Sequence, residues 1–211
     1  MARTHIVKKA QKDQGYCMSP TCSHEDKAIK VGDSYKHFTL RFGGKKVYHT
    51  DCNVPGSHTT ASAQLGTIYD AQETASQALG SINAEDANAD WFMEVAQAAA
   101  DAIREAGEMY SESADNMESG FGTSTSISDE IREKGEGCES WADEIESAAQ
   151  DIEDFDEDDA RQDAENEHDA EDYEEESERE QAIEDEINTK RDDWFSEAVS
   201  AIEDAINNQP F

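Results

Sequence analysis

The sequence predicts a small α+β module over residues 1–58, followed by an all-α, coiled-coil-like region that contains a helical hairpin. Three observations carry that prediction. The formal charge changes sign: residues 1–58 hold 10 Lys/Arg against 5 Asp/Glu, a net of +5, and residues 59–211 hold 7 against 46, a net of −39. Cysteine and histidine follow the same boundary, with three of four cysteines and five of six histidines before residue 59. Beyond it, apolar residues recur at spacings of three and four, the period of a helix face. The stretch "NVPGSHTTAS" (53–62) supplies the Pro, Gly and Ser/Thr of a joint between the two parts.

Within the first module, residues 35–42 alternate and are rich in aromatic and β-branched types. Gly43-Gly44 offers a turn that tolerates positive φ, and 45–49 returns as a second strand. The hairpin would bring its end towards a turn around Cys17 and Cys22. The spacing is Cys17-x4-Cys22, then 26 residues, then His49-x2-Cys52. Two short-spaced pairs separated by a few tens of residues can close a tetrahedral Cys3His site, the ligand set and geometry of structural Zn2+. His24 stands as an alternative to His49, and His5, His37 and His58 are expected at the surface. A nucleophilic role needs one activated thiol, and three cysteines in ligand spacing argue against it. Lys8, Lys9, Lys36, Arg41, Lys45 and Lys46, with Arg3 nearby and Tyr35, Phe38, Phe42 and Tyr48 interleaved, are candidate contacts to nucleic acid or a partner.

Cys17 and Cys22 with "IKVGDSY" (29–35), "RFGG" (41–44) and "VYHTDC" (47–52) resemble the zinc-binding finger of poly(ADP-ribose) polymerases. That resemblance implies a treble-clef-like fold with zinc held by Cys17, Cys22, His49 and Cys52. The family binds DNA ends or breaks. Here the first pair is spaced by four residues where the family has two, and the family's Trp before the ligand histidine is missing, so only zinc ligation carries over. The whole chain also resembles uncharacterised proteins of tailed bacteriophages and prophages, through "ARTHIVKKAQKDQGYC", "RFGGKKV" and "ESADNMESGFGTSTSISDE". This implies a phage origin and no activity.

The acidic part is expected to begin with a helix over 63–82, through Leu65, Ile68, Tyr69, Ala75, Leu79 and Ile82. A longer helix is predicted over 85–119, with Asn83 or Asp86 as its cap. Gly120 and Gly122 stop it, and a serine in "TSTSIS" caps the next helix. In that helix Ile127, Ile131, Lys134, Cys138, Trp141, Ile145, Ala148, Ile152 and Phe155 alternate spacings of four and three, a heptad seam with Lys134 as its polar intrusion. Gly135 and Gly137 predict a weakened helix there. The two long helices, 85–119 and 128–155, should form an antiparallel hairpin within the helical region 59–155. Residues 151–186 carry 21 Asp/Glu and 2 Arg, so 156–189 is expected to be a disordered linker or a solvated helix. "ENEH" (165–168) has the spacing of a di-iron helix but lacks a second such motif. An amphipathic helix closes the chain over 190–211, through Trp194, Phe195, Ala198, Val199, Ile202 and Ile206.

No apolar run approaches the roughly 18–20 residues of a membrane span, and the first twenty residues lack the apolar core of a secretory signal. The expectation is a chain in the host cytoplasm with no membrane association. There is no Gly-rich phosphate loop and no catalytic triad pattern, so the chain is not expected to be an enzyme. Two function classes fit. One is a zinc-finger adaptor whose finger meets nucleic acid or a host protein and whose acidic helical arm recruits a protein or forms a homodimer. The other is an acidic nucleic-acid mimic that occupies a host DNA-binding protein, since carboxylates along a rod can approach the charge density of a duplex, about one phosphate per 1.7 Å.

Overall fold

The computed structural model describes residues 4–41, 43–168, 173 and 175–211. Arg3 and Phe42, and residues 169–172 and 174 of the acidic block, lie outside the described residues. The element order is β1 (His5–Val7), β2 (Gly15–Tyr16), β3 (Ala28–Ile29), β4 (Tyr35–Leu40), β5 (Gly44–His49), a 3-10 turn Gly56–Thr59, then α1 (Ala63–Leu79), α2 (Ala89–Phe121), α3 (Ser126–Gln150), α4 (Glu157–Glu167) and α5 (Glu176–Asn207). A small sheet region followed by five helices is the α+β-then-helical layout the sequence predicts. No described helix is long and apolar enough to cross a membrane.

The sheet order is β1-β4-β5, antiparallel throughout, and β2 and β3 form a separate two-stranded ribbon. The β4–β5 hairpin is longer-looped than a Gly43-Gly44 turn, because Leu40 pairs with Gly44 and 41–43 make the connection. Gly44 takes φ +73, a left-handed conformation that glycine adopts without steric cost. One face of the hairpin buries Phe38, Leu40 and Tyr48, with Phe38 and Tyr48 stacked at 5.8 Å. The other buries Tyr35, Val47 and His49. The module's core is Ala10, Cys17, Ile29, Tyr35, Phe38, Leu40, Val47, Tyr48 and Cys52. Two of these nine are candidate ligands, so little apolar surface is left to hold the module together.

The chain divides into two compact units, Met1–Thr74 with Ala102–Cys138, and Ala75–Asp101 with Glu139–Phe211. The contact boundary therefore does not fall at residue 58, where the charge changes sign.

In the first unit, Gln64 of α1 donates to Ser113 Oγ of α2 at 3.0 Å. Arg132 of α3 reaches Glu118 and Asp115 of α2, both at 2.8 Å. The Arg132 guanidinium holds the Glu118 carboxyl below the usual glutamate range. Gly122, φ +71, ends α2, and its N–H donates to Glu118 O at 2.7 Å. Thr125 and Ser128 then cap α3 reciprocally: Ser128 N donates to Thr125 Oγ1 at 3.1 Å and Thr125 N to Ser128 Oγ at 2.9 Å. This is a capping box with serine in the glutamate position.

The buried stripe of α3 keeps Cys138, Trp141 and Ile145 of the predicted seam and shifts the alternate places by one position. Ile127 is 58% exposed and Lys134 is exposed, while Ser128, Gly135, Cys138, Trp141, Ala142, Ile145 and Ala149 are buried. Ser128, Gly135, Ala142 and Ala149 recur every seven residues, so a column of small side chains occupies the seam. Lys134 is no intrusion, because Gly135 takes the inward place. Gly107 of α2 and Gly135 of α3 bring the two backbones close: a Cβ at Gly135 would lie 2.9 Å from Gly107 O.

In the second unit, Asn88 caps α2 by accepting from Trp91 N at 2.8 Å, in place of Asn83 or Asp86. Phe92 meets the rings of Trp194 and Phe195 of α5 at 5.8 and 6.0 Å. The fully buried Trp141 donates its Nε1–H to Ala205 O at 2.7 Å, satisfying one of the last carbonyls of α5. Trp141→Phe is expected to lower stability by about 1 kcal/mol, the net value of such a bond. Urea denaturation of the variant checks this, and an unchanged midpoint would show that Ala205 O finds another donor.

The predicted helix to residue 155 ends earlier, at Gln150, and the predicted helix over 190–211 begins earlier, at Glu176. Asp156 caps α4 by accepting from Asp159 N at 3.0 Å. Two helices fill most of the described part of the acidic block: α4 and the first half of α5 pack through Ala164, Ile183 and Ile187, with Phe155 against them. Arg161–Glu184 at 3.2 Å, Arg191–Glu157 at 2.8 Å and Lys190–Asp163 at 3.5 Å tie the same two helices.

Candidate metal centre

Two tight turns and one strand end build the site. Cys17 follows β2, and its N–H donates to Lys27 O at 2.6 Å. Met18 N donates to Val47 O at 3.0 Å, which fastens this segment to β5. A turn closed by Cys22 N to Ser19 O, 3.3 Å, brings Cys22 back beside Cys17. His49 ends β5, and a second turn, Cys52 N to His49 O at 3.2 Å, folds Cys52 over it. The ligand atoms of Cys17, Cys22, His49 and Cys52 all lie within 4.8 Å of one another. Cys17, His49 and Cys52 are buried and Cys22 is half-buried.

The spacing fits a tetrahedral ion. Zn–S bonds near 2.3 Å and Zn–N bonds near 2.0–2.1 Å place the ligand atoms ~3.5–3.8 Å apart at tetrahedral angles. The Cys22 and Cys52 sulfurs are 3.5 Å apart, and His49 Nδ1 stands 3.5 Å from Cys22 Sγ and 3.9 Å from Cys52 Sγ. Such sulfur separations are far beyond a disulfide bond of about 2.05 Å, and all the cysteines are free. Cys17 Sγ also accepts from His49 N at 3.4 Å, which ties it to the end of β5.

The thiols divide electrostatically. Burial, with Cys22 and Cys17 adding to it, pushes the Cys52 thiol up to about 12. Burial also acts to raise Cys22, but the His24 backbone N–H, the Cys52 and Cys17 thiols and Lys27 outweigh it and leave Cys22 lowered. Three thiolates could share so small a volume only with a cation, and a divalent metal would supply that charge.

His24 does not join the group of four. Its ring stacks on His49 at 3.7 Å, and its Nε2 lies 3.1 Å from Asp51 Oδ2. With Asp51 and Cys52 it forms a second, more exposed trio beside the first. Asp51 is absent from the residues that spacing alone singles out. Its signal is its place inside the His49-x2-Cys52 turn, where a carboxylate necessarily flanks the ligands.

Two histidines expected at the surface are half-buried. Tyr48 OH lies 2.9 Å from His58 Nδ1. Burial pushes the Tyr48 phenol up to about 12 and, as the largest cause, lowers His58, so a neutral phenol and a neutral imidazole share this hydrogen bond. His37 stacks between His5 at 5.5 Å and Tyr35 at 5.6 Å, and among the described residues its Nδ1 is a buried polar atom without a partner. His5 is exposed.

The candidate contact residues occupy more than one face. Strand alternation puts Lys36 and Lys46 on the side of Phe38 and Tyr48, and Lys45 on the side of Tyr35 and Val47. Lys45 Nζ donates to Gln14 Oε1 at 2.7 Å and lies 5.1 Å over the Tyr35 ring. Lys8 and Lys9 are exposed just after β1, and Arg41 is exposed in the hairpin connection.

Compared with known protein families, curated proteins and solved structures, the chain matches none.

Proposed function

We propose that residues 1–58 form a zinc-stabilised, treble-clef-like finger and that the chain is a phage-encoded adaptor acting in the host cytoplasm. The finger contacts nucleic acid or a host protein, and the acidic, coiled-coil-like helical arm engages protein. The observation that carries this reading is the Cys3His cluster set in a module of net charge +5. Four protein ligands close a zinc coordination sphere and leave no open position for a substrate, the pattern of structural rather than catalytic sites. The resemblance to finger and phage proteins supports the same reading, and the role is binding rather than catalysis.

Fluorescence anisotropy of the full zinc-loaded chain with a labelled DNA duplex tests the nucleic-acid arm. Affinity is expected to fall steeply between ~50 and ~200 mM salt, with Lys45→Gln plus Lys46→Gln reducing the logarithmic salt slope by roughly 2. Cys17→Ser should abolish binding. Binding indifferent to Cys17→Ser would remove the finger from the interaction. Capture of a nuclease-resistant partner that needs Cys17 would assign the finger to protein. The nucleic-acid mimic is the second reading, favoured by the exposed carboxylates along α4 and α5. It predicts that the chain competes with DNA for a host protein in a salt-dependent way, with Cys17→Ser retaining the competition.

A further inference from the structure

The second compact unit carries a groove of about 560 Å3 between the end of α3, the 151–156 loop, α4 and α5. That volume lies within the roughly 300–1,000 Å3 typical of ligand sites. Its floor is apolar. Ile152, Phe155 and Trp194 are half-buried there, large side chains that the fold leaves partly wet. Trp194 is fixed in place by its Nε1–H, which donates to Glu153 O at 3.0 Å, and by its contact with Phe155 at 5.9 Å. The groove is therefore preformed.

Its rim is acidic. Asp151, Glu153, Asp154, Asp156, Asp163 and Glu197 line it, against one cation, Lys190. Asp154 and Asp156 are engaged by backbone N–H groups, of Ala89 at 2.8 Å and Asp159 at 3.0 Å. Lys190 serves Asp163. Among the described residues no cation pairs with Asp151, Glu153 or Glu197. The chain itself demonstrates the matching chemistry next door: the Arg191 guanidinium lies 5.3 Å over the Phe155 ring and 2.8 Å from Glu157. A cation held between an aromatic face and a carboxylate is the local solution to this combination of groups.

We propose that this groove binds a cationic peptide segment of a partner protein, an Arg/Lys-rich stretch that seats one large apolar side chain on the Phe155–Trp194 floor. Charge complementarity selects the basic flanks, and the wet aromatic floor selects the apolar anchor. A bare polycation would satisfy the rim and leave the floor in water. An apolar peptide would leave the rim carboxylates facing an uncharged partner. The site belongs to the acidic unit and is independent of the metal.

The test uses the full chain and two fluorescein-labelled peptides, each alternating arginine and lysine, one with a central leucine and one with serine there. At ~150 mM salt, where diffuse surface charge is largely screened, the leucine peptide is expected to bind roughly tenfold tighter than the serine peptide. Ala201→Trp, at an exposed position lining the groove, should fill the floor and erase that difference. Asp151→Asn with Glu197→Gln should weaken both peptides. Glu133→Gln with Glu136→Gln, which removes the same charge from an exposed stretch of α3, should leave both unchanged. Circular dichroism confirms that each variant keeps its helices. Equal binding of the two peptides, or equal loss in the rim and control pairs, would overturn the proposal in favour of a diffuse acidic field. Sedimentation showing a concentration-dependent dimer that Ala201→Trp abolishes would overturn it in favour of a second copy of the chain.

Discussion

Stripping the metal from the full chain is expected to unfold residues 4–58 while α2, α3 and α5 keep their helical structure. The reason is the size of the module's core. Nine buried apolar residues, two of them cysteine ligands, cannot by themselves offset the conformational entropy of ordering a segment this long. An ion held by the four residues would join the 17–22 turn to the 49–52 turn. Apparent zinc-binding free energies of about 10–16 kcal/mol at neutral pH are comparable to or larger than the whole stability of a small domain, about 5–15 kcal/mol. Hydrogen exchange before and after chelation separates the regions. Amides of β4 and β5 should lose protection, and those in the middle of α2 and α3 should keep it. Cys52→Ser should reproduce the chelated pattern, and Cys138→Ala, at a buried seam position distant in sequence from the four ligands, should not. Retained protection in β4 and β5 after chelation would show that the module folds on its apolar core alone.

Gly135→Ala is expected to destabilise the chain even though alanine is the better helix former. In an open helix the exchange gains about 1 kcal/mol. Here the new Cβ would stand 2.7 Å from Ser111 Oγ and 2.9 Å from Gly107 O. The serine hydroxyl can rotate away, but the carbonyl belongs to the α2 backbone and moves only if the helix moves. Overpacking of this kind costs about 1–3 kcal/mol, so against the propensity gain of about 1 kcal/mol the net change should be a loss of up to about 2 kcal/mol. Gly135→Leu should lose more, because it adds three further carbons beyond a Cβ that already stands inside contact distance of the α2 backbone. Gly120→Ala is the control: the position is helical, a methyl added there meets nothing within 4 Å, and the variant should gain a few tenths to about 1 kcal/mol. Thermal unfolding of the three variants checks the order. Gly135→Ala as stable as Gly120→Ala would mean that α2 and α3 are not held at this separation.

These two predictions also mark what is legible in the sequence. The ligand set is open to reading because metal-site chemistry is written in residue type and spacing: paired cysteines, then a closing His49-x2-Cys52, leave few other arrangements. The hairpin between them follows from strand alternation and the two glycines. The α3 seam follows at Cys138, Trp141 and Ile145 but not at the alternate places, because small residues carry no hydropathy signal for burial. Ser128, Gly135 and Ala142 sit in the seam by virtue of their size, whereas Ile127, the more apolar neighbour, is exposed. Gly135, a weak point by propensity, is the residue that lets α2 and α3 approach. The acidic block is legible only as far as the choice between a disordered linker and a solvated helix. Its composition matches that of disordered chains, yet Ala160, Ala164, Ile183 and Ile187, each pair four apart, suffice to pair α4 with α5. The Asp156-x2-Asp159 cap signal is present in the sequence and marks the start of α4. The pairing of His24 with Asp51 is not legible, because it depends on a ring stacking across the two turns, which spacing does not encode.

One metal ion per chain is expected, held by Cys17, Cys22, His49 and Cys52. Native mass spectrometry of the full chain, purified without chelator, tests it most directly. The account predicts one zinc per chain, lost in Cys17→Ser, Cys22→Ser, His49→Ala and Cys52→Ser, and retained in His24→Ala and Cys138→Ser. A metal-free chain whose β4 and β5 amides are nevertheless protected, or zinc retained in Cys52→Ser, would contradict it.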